Sequence, residues 1–179
     1  MLSSLHQEHI NIAKLLALLK RKLLAIRAEE KVSYHLIRDV VDYLGEVADK
    51  RHHPKEDMIY DYYLRYRVVD GDVGNRLHEE HQKLVESGRE LKEMVEMILL
   101  DAVIPLDQFT AKLEQFITLQ ENHMNYEEKV VFPLLRESLT EDDWRSLEQS
   151  WLVHAQADPL FGPEVAQHFR DLAERLALH

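Results

Sequence analysis

The sequence predicts an all-α fold, and three observations support this. The 179 residues include only 5 glycines and 5 prolines, too few for the many tight turns of a β-rich domain. Apolar residues recur at steps of three and four, the spacing that lines one face of a helix. The length suits one domain with a substantial core. We therefore expect one domain over residues 1–179, with a helical bundle over about 1–138 and a helical extension over about 139–179.

The first and third helices are predicted from a repeated apolar stripe. The first begins near Ser3 or Ser4, ends before Glu29 and carries its stripe in alternating steps of four and three residues: Leu5, His9, Ile12, Leu16, Leu19, Leu23 and Ile26. The same steps return 72 residues later in a third helix, predicted over roughly 75–101: Leu77, His81, Leu84, Gly88, Leu91, Val95 and Ile98. Only Gly88 departs from the apolar match. A loop over 70–75 is predicted to separate the two halves.

The second and fourth helices are predicted from stripes that each contain a His-x-x-x-Glu pair. The second runs from near Ser33 to about Arg67, and the fourth begins after residue 105 with Asp107 as its cap. A proline removes a backbone donor and crowds the preceding turn, so prolines should distort both helices. Pro54 should kink the second helix, and Pro133 should bend or end the fourth.

Two further helices are predicted in the C-terminal extension. The segment Thr-Glu-Asp-Asp at 140–143 has the form of a helix N-terminal cap and introduces the fifth helix. The spacing of Trp144 and Trp151 indicates that this helix packs on the bundle. A loop over 158–163 precedes the sixth helix. Neither helix carries a second set of candidate ligands.

Charge and cysteine content exclude several classes of function. The 22 basic and 33 acidic residues give a net charge of −11, which disfavours a nucleic-acid surface. Without cysteine there is no disulfide, thiolate site or iron–sulfur cluster, so any metal must be held by histidine and carboxylate. Charges interrupt the apolar N-terminal stretch, and no apolar run is long enough for a membrane span. We expect a cytoplasmic protein with no nucleic-acid or membrane partner.

One pattern that occurs twice carries the candidate chemistry. The pentapeptide Leu-His-x-Glu-His stands at 5–9 and again at 77–81, and a His-x-x-x-Glu pair follows its second histidine 43 or 42 residues later. The i, i+4 spacing places the histidine and glutamate of each pair on one helix face. All these residues interrupt core-facing stripes, so six side chains are predicted to point inward as metal ligands: His9, His52, Glu56, His81, His123 and Glu127.

Four imidazoles and two carboxylates suit a pair of first-row metal ions. Imidazole binds iron, zinc, nickel and copper, and a carboxylate can bridge two cations. Three protein ligands per ion leave coordination positions open for a small molecule, whereas structural zinc normally has four closed ligands. His52 is preferred as the ligand because it lies in the core-facing stripe of its helix. The pair that it forms with Glu56 also aligns with the pair of His123 and Glu127. His53, with Asp57 four residues on, is the alternate.

The remaining candidates are expected to have other roles. His6 and His78 hold equal places in the two pentapeptides and are expected to be solvated or to contact the ligands from outside. Four histidines without a partner pattern are expected at the surface: His35, His154, His168 and His179. Four tyrosines could place a phenol near the metals, but packing between helices is preferred for them: Tyr60, Tyr62, Tyr63 and Tyr66.

The ligand pattern resembles the hemerythrin-like, or HHE cation-binding, family. The resemblance rests on His9, the segment 52–57, the dipeptide Glu80-His81 and the segment 123–128, and it covers about residues 1–138. The tail at 158–162 is also similar to that of many bacterial members. The resemblance implies an up-down-up-down four-helix bundle around a non-haem diiron centre. It also implies oxygen, peroxide or nitric oxide as the reacting molecule. Spacing alone does not separate two iron ions from manganese or zinc.

The pattern departs from that of the oxygen-carrying members. The resemblance implies a His-x-x-x-His pair on the third helix of the oxygen carriers and a His-x-x-x-x-Asp pair on the fourth. In this chain Leu77 stands at the first histidine of the former pair, and Glu128 stands at the aspartate of the latter. Reversible oxygen carriage is therefore disfavoured against sensing, iron handling, repair of nitrosative stress or peroxide consumption, and enzymatic activity is left open. The alternatives are a metal-responsive regulatory module with a structural metal site, and a metal-free helical scaffold. A homodimer is compatible with the sequence.

Overall fold

The computed structural model describes residues 1–67, 72–152 and 157–177, and these ranges contain helices and no strand. The α-helices in them are α1 Leu2–Arg27, α2 Tyr34–Val47, α3 His53–Tyr66, α4 Asp72–Leu99, α5 Leu106–Tyr126, α6 Phe132–Ser138, α7 Glu141–Leu152 and α8 Arg170–Ala177. A π-helical turn, Ala48–His52, joins α2 to α3, and a second, Glu127–Val131, joins α5 to α6. A short 3-10 helix, Gln167–Phe169, precedes α8.

Four rods make up the bundle: α1, the continuous α2–α3, α4 and the continuous α5–α6. Helix α1 packs on α2 and α5, and α4 packs on α2, α3 and α5, so each rod contacts two neighbours. Helix α7 contacts α3, and α8 contacts α2. The prediction of an all-α bundle with additional C-terminal helices is confirmed. None of the helices in the described ranges combines the length and apolar character needed to span a membrane.

Several predicted helix boundaries agree with the structure and two are wrong. Ser33 caps α2, because its Oγ accepts a hydrogen bond from the backbone N–H of Leu36 at 3.3 Å. Helix α4 begins at Asp72, so the predicted loop over 70–75 is wrong for 72–75, where the helix tolerates its glycine. Residues 70 and 71 of that loop lie outside the described residues. Pro105, not Asp107, occupies the cap position of α5, and Asp107 lies in its first turn.

The two prolines distort their helices as predicted, and the distortion takes the form of a π turn. The backbone N–H of His53 donates to the carbonyl of Ala48, and that of Phe132 donates to the carbonyl of Glu127, five residues back in each case. Each donor directly precedes its proline. A wider turn relieves the crowding that the proline ring imposes on the turn before it. Both rods continue beyond the proline, so Pro133 does not end its helix.

Two apolar clusters fill the bundle, one on either side of a polar layer. The larger contains most of α1 and α2 with the middle of α4 and α5, and it includes Leu15, Leu19 and Phe116. The smaller lies at the other end of the rods and includes Leu5, Ile59 and Leu77. Along α1, for example, Leu5 belongs to the smaller cluster and Ile12 to the larger, with His9 between them. The candidate ligands therefore lie in a layer shielded by apolar residues above and below.

The C-terminal segment packs against both clusters. Thr140 and Asp143 form the predicted cap of α7: the backbone N–H of Asp143 donates to Thr140 Oγ1, and that of Thr140 donates to Asp143 Oδ2. Leu147 of α7 joins the smaller cluster, and Leu172 of α8 joins the larger. In the predicted loop over 158–163, Oδ2 of Asp158 accepts a hydrogen bond from the hydroxyl of Tyr43 at 2.9 Å. This bond fixes the loop to α2.

The glycine that interrupts the repeated stripe has a packing cause. A Cβ atom on Gly88 would lie 3.4 Å from Cε2 of Phe116 on α5. The equivalent position in α1 is Leu16, and a leucine at position 88 would enter the space of that ring. The phenylalanine of α5 therefore takes the volume that the missing side chain leaves.

Candidate metal centre

The polar layer contains all six predicted ligands and one more residue, His53. Each of the seven side chains is at most 5% exposed: His9, His52, His53, Glu56, His81, His123 and Glu127. Their donor atoms form two groups, in each of which all atoms lie within 4.8 Å of one another. The first cluster is His9, His52, Glu56 and Glu127. The second cluster is His53, Glu56, His81 and His123.

Glu56 belongs to both clusters. Its Oε1 lies 3.1 Å from Nε2 of His52 and 3.5 Å from Nε2 of His9. Its other oxygen, Oε2, lies 3.5 Å from Nε2 of His81. One carboxylate therefore presents one oxygen to each cluster, the arrangement that a bridging ligand requires.

Glu127 faces histidines from both clusters, mainly with Oε2, while its Oε1 lies 3.9 Å from Nε2 of His81. Its Oε2 lies 3.2 Å from Nε2 of His9 and 3.3 Å from Nε2 of His123. Its Oε1 accepts a hydrogen bond from the hydroxyl of Tyr60 at 2.6 Å. The two glutamates are thus placed alike in sequence but differ in their surroundings, because within the described ranges a phenol donates to Glu127 and none donates to Glu56.

His52 and His53, treated as alternatives in the sequence analysis, are both in the centre. His52 faces the first cluster, whereas His53 faces the second, where its ring stacks on that of His81 with centroids 4.2 Å apart. The position that corresponds to His53 in the second half of the repeat, 71 residues later, is Met124. The second cluster consequently has three histidines and the first has two. Which of these residues bind metal stays a prediction.

Four of the histidines are held from outside by carboxylates. In each, the Nδ1 atom donates to a carboxylate oxygen at 2.7 to 2.9 Å, and the pairs are His9 with Glu128, His52 with Glu8, His81 with Asp57 and His123 with Glu80. Such a contact fixes the orientation of the ring and leaves Nε2 as the free donor. Consistent with this, the Nε2 atoms of these rings face the two glutamates.

The contacts of these outer carboxylates were not predicted from the sequence, although the repeat contains a signal for them. Glu8 and Glu80 directly precede the inward histidines of the two pentapeptides, and Asp57 and Glu128 directly follow the inward glutamates. Each carboxylate contacts a histidine on a neighbouring rod. Periodicity identifies a residue next to the core-facing stripe, but it does not identify the neighbour across the helix interface.

His6 and His78 contact the outer carboxylates from the solvent side. Nδ1 of His6 lies 2.9 Å from Glu128, which also holds His9. Nδ1 of His78 lies 3.1 Å from Asp57, and its Nε2 lies 3.2 Å from Asp61. These positions agree with the expectation of a solvated or outer role. Among the other histidines, His35 and His168 are exposed as expected, and His154 and His179 lie outside the described residues.

Three of the inward histidines hold a proton in the metal-free protein. Burial opposes protonation of His9, but Glu127 and Glu56 outweigh it and raise the pKa of His9 to about 10. Burial also opposes protonation of His52, and Glu56 raises its pKa to about 9. For His81, the surrounding carboxylates again outweigh burial, and the pKa rises to about 11. The polar layer therefore balances its carboxylates with imidazolium groups.

The two central carboxylates stay ionised, and His53 stays neutral. Burial alone would raise the pKa of Glu56, but the charge of His52 outweighs it and holds that pKa well below its ordinary value. Burial and the charge of Glu56 act to raise the pKa of Glu127, and the histidines around it lower that pKa to about 2. Burial and the neighbouring imidazolium charges hold the pKa of His53 well below its ordinary value.

Several buried polar atoms in this layer have no hydrogen-bond partner among the described residues. They are Nε2 of His9 and His52, Nδ1 of His53, both carboxylate oxygens of Glu56, and Oε2 of Glu127. A buried acceptor or donor without a partner costs the folded state about 1–3 kcal/mol. Several such atoms in one place therefore indicate a binding site for a polar or charged ligand. A cation coordinated by imidazole nitrogen and carboxylate oxygen satisfies these atoms together. The residues therefore fit metal ions.

Tyr60 lies in the centre, which corrects the expectation that it only packs between helices. Its side chain is 1% exposed and its hydroxyl contacts Glu127. Burial and the charges of Glu127 and Glu56 raise the pKa of Tyr60 well above its ordinary value, so the phenol remains a donor. The sequence indicated only that Tyr60 lies four residues after Glu56 on the same helix face.

Replacing Tyr60 with phenylalanine is expected to destabilise the metal-free protein by about 1–3 kcal/mol, because Oε1 of a buried carboxylate loses its donor. Urea denaturation of the two proteins measures this change in the free energy of unfolding. The matched control is Tyr66→Phe, whose side chain is 57% exposed and for which we expect a change within about 0.5 kcal/mol. Equal losses in the two variants would argue against a specific role for the Tyr60 hydroxyl.

Comparison with known families agrees with this geometry. The family model described as Hemerythrin HHE cation binding domain matches residues 1–135 of the chain. The matched segment includes all seven inward side chains and the four outer carboxylates. No match to the chain was found among curated proteins.

Proposed function

Because the chain belongs to the hemerythrin HHE cation-binding family, we propose that its two clusters bind a pair of iron ions that react with oxygen, peroxide or nitric oxide. The observation that carries this proposal is the pair of buried four-residue groups that share Glu56. A shared carboxylate between two sets of imidazoles is suited to two adjacent cations. The preference for iron over manganese or zinc comes from the family.

The residues for each ion follow from the clusters. His9, His52, Glu56 and Glu127 would hold one ion. His53, His81, His123 and Glu56 would hold the other. Every donor is an imidazole nitrogen or a carboxylate oxygen, a set that suits first-row divalent ions.

The protein around the clusters controls their surroundings. Bound ferrous ions supply electrons to a small oxidant. The two apolar clusters above and below the polar layer limit the access of water. The outer carboxylates hold the rings of four histidines in one orientation, and the Tyr60 hydroxyl donates a hydrogen bond to Glu127.

A regulatory module with a structural metal site is the second candidate, and His53 is the observation that favours it. With His53 the centre has five imidazoles and two carboxylates, one donor more than the sequence pattern predicts. Each additional protein donor takes a coordination position that a small molecule would otherwise use. In that case the metal would stabilise the packing of the four rods without reacting.

Elemental analysis after anaerobic loading with ferrous iron tests the proposal, and exposure of the loaded protein to oxygen or peroxide separates the two candidates. We expect about two irons per chain, as a dinuclear site requires, and a change in the near-ultraviolet and visible spectrum on exposure. Two irons with no spectral change would favour the structural candidate. No bound iron, or a single zinc that iron does not replace, would overturn the dinuclear proposal.

A further inference from the structure

A pocket on the surface between α3 and α4 leads to the second cluster. It has a volume of about 420 Å³, and its lining includes Asp49, His53, Asp57, His81, Glu86 and Arg89. His53 and His81 are candidate ligands, so the inner wall of this pocket is also the wall of the second cluster. We call it the α3–α4 pocket.

His53 is held less firmly than the other histidines of the centre. The other four have a carboxylate oxygen within 2.9 Å of Nδ1. Among the described residues, the nearest such oxygen to Nδ1 of His53 is Oδ1 of Asp49, at 3.5 Å, and none of them gives this buried nitrogen a hydrogen-bond partner. A ring without a short hydrogen bond can rotate at lower cost. His53 is thus the most easily displaced side chain between the pocket and the second cluster.

The charges that line the pocket favour a cation. Asp49 lies beside His53 at the inner end, Asp57 holds His81, and Glu86 lines the same pocket. Arg89 and the imidazolium of His81 oppose these three carboxylates in the lining, which leaves the carboxylates in excess by one. A concave surface with an excess of negative charge raises the local concentration of cations and speeds their association.

We propose that divalent cations reach the buried centre through the α3–α4 pocket, and that Asp49 and His53 form its innermost transfer point. This inference rests on the proposed function, because it concerns how the ions of the same centre arrive. Oδ1 of Asp49 lies 3.5 Å from the buried Nδ1 of His53 at the inner end of the pocket, so a cation held by Asp49 contacts this nitrogen once the His53 ring rotates. The same rotation of the His53 ring then transfers the ion to the second cluster.

Stopped-flow measurement of Co²⁺ uptake tests the proposal, because Co²⁺ absorbs visible light when histidine and carboxylate bind it. At low ionic strength we expect Glu86→Gln to slow the second-order uptake about fourfold, the effect of one charge on a divalent ion about 10 Å away in water. Arg89→Glu should accelerate it by at least as much. Both effects should shrink as salt is added. The matched control is Glu93→Gln, an exposed glutamate one heptad further along α4 that does not line the pocket.

A steric variant tests the same route without changing a charge. Val85 lines the pocket and is 44% exposed, so Val85→Trp should narrow it and slow uptake, while final cobalt content stays the same. Val103→Trp, at a 98% exposed position that does not line the pocket, should leave the rate unchanged. Asp49→Asn should slow uptake more than Glu86→Gln, because Asp49 lies at the inner end.

The outcomes separate this inference from the proposed function. If the unmodified protein takes up no cobalt and no iron, the proposed function fails. If it takes up metal normally but the pocket variants load at the same rate as their controls, the uptake route is overturned and the metal centre stands. Uptake at a rate independent of cobalt concentration would also overturn the route, since opening of the bundle would then limit loading.

Discussion

Replacing Glu56 and Glu127 together with glutamine is expected to reduce bound metal from about two ions per chain to a small fraction of one. Glu56 presents an oxygen to each cluster, and Glu127 lies between His9 and His123. Glutamine keeps the shape of each side chain but replaces an anionic donor with a neutral amide. Elemental analysis after identical loading measures the loss.

The single variants should differ in an informative way. Glu56→Gln should weaken both ions, because Glu56 belongs to both clusters, whereas Glu127→Gln should weaken the ion of the first cluster, to which it belongs, more than that of the second, whose His123 it also faces. The matched control is Glu93→Gln with Glu137→Gln, which makes the same change in charge at two exposed positions. Full metal content in the Glu56/Glu127 double variant would refute the ligand assignment. Unchanged or higher stability in that variant would then favour a metal-free scaffold.

Metal loading is expected to release up to three protons per chain near neutral pH. His9, His52 and His81 have pKa values of about 10, about 9 and about 11 in the metal-free protein, so they are protonated there. A histidine must be neutral to bind a metal, so each of these three must lose a proton. Each proton released makes the binding constant rise about tenfold per pH unit. A pH indicator in weakly buffered solution measures the release, and its absence would contradict the protonated state of these rings.

The same shifts fix how stability depends on pH before metal binds. A histidine whose folded pKa is raised contributes stability fully below its unfolded pKa, about 6.5, and loses it as the pH rises through about 9 to 11. Glu127, with its pKa lowered to about 2, contributes above about 4.5 and loses its contribution as the pH falls toward 2. The metal-free protein should therefore be most stable between about pH 4.5 and 6.5. The increase in the thermal unfolding midpoint that metal causes should be larger at pH 8 than at pH 6.

The sequence predicted the inward residues well because their placement depends on local helix geometry. Stripes of period 3.6 placed His9 and His81 in equal positions of α1 and α4, and the i, i+4 pairs followed from the same geometry. The contacts of Glu8 and Glu80 could not be predicted in this way. They depend on which rod lies beside which and at what height, and this is a property of the packed bundle.

The choice between His52 and His53 shows where the helical period stops being a reliable guide. In a regular α-helix, adjacent residues point about 100° apart, so only one of two neighbours belongs to a given stripe. The π turn Ala48–His52 changes that spacing directly before α3, and the two rings face different clusters. Pro54 indicated a distortion at this point, but the expected kink did not specify that both histidines would point inward.

The sharing of ligands between the two halves of the repeat has a consequence for the entropy of the chain. The first cluster joins His9 to Glu127, and the second joins His53 to His123. A bound ion therefore ties together positions on the order of 70 to 120 residues apart, as a disulfide would in a chain that had cysteine. Closing a loop of about 100 residues removes about 4–5 kcal/mol of conformational freedom from the unfolded chain in the loop-entropy estimate. Two ions that shared Glu56, as proposed, would act as neighbouring cross-links, and neither half of the repeat could form either one alone.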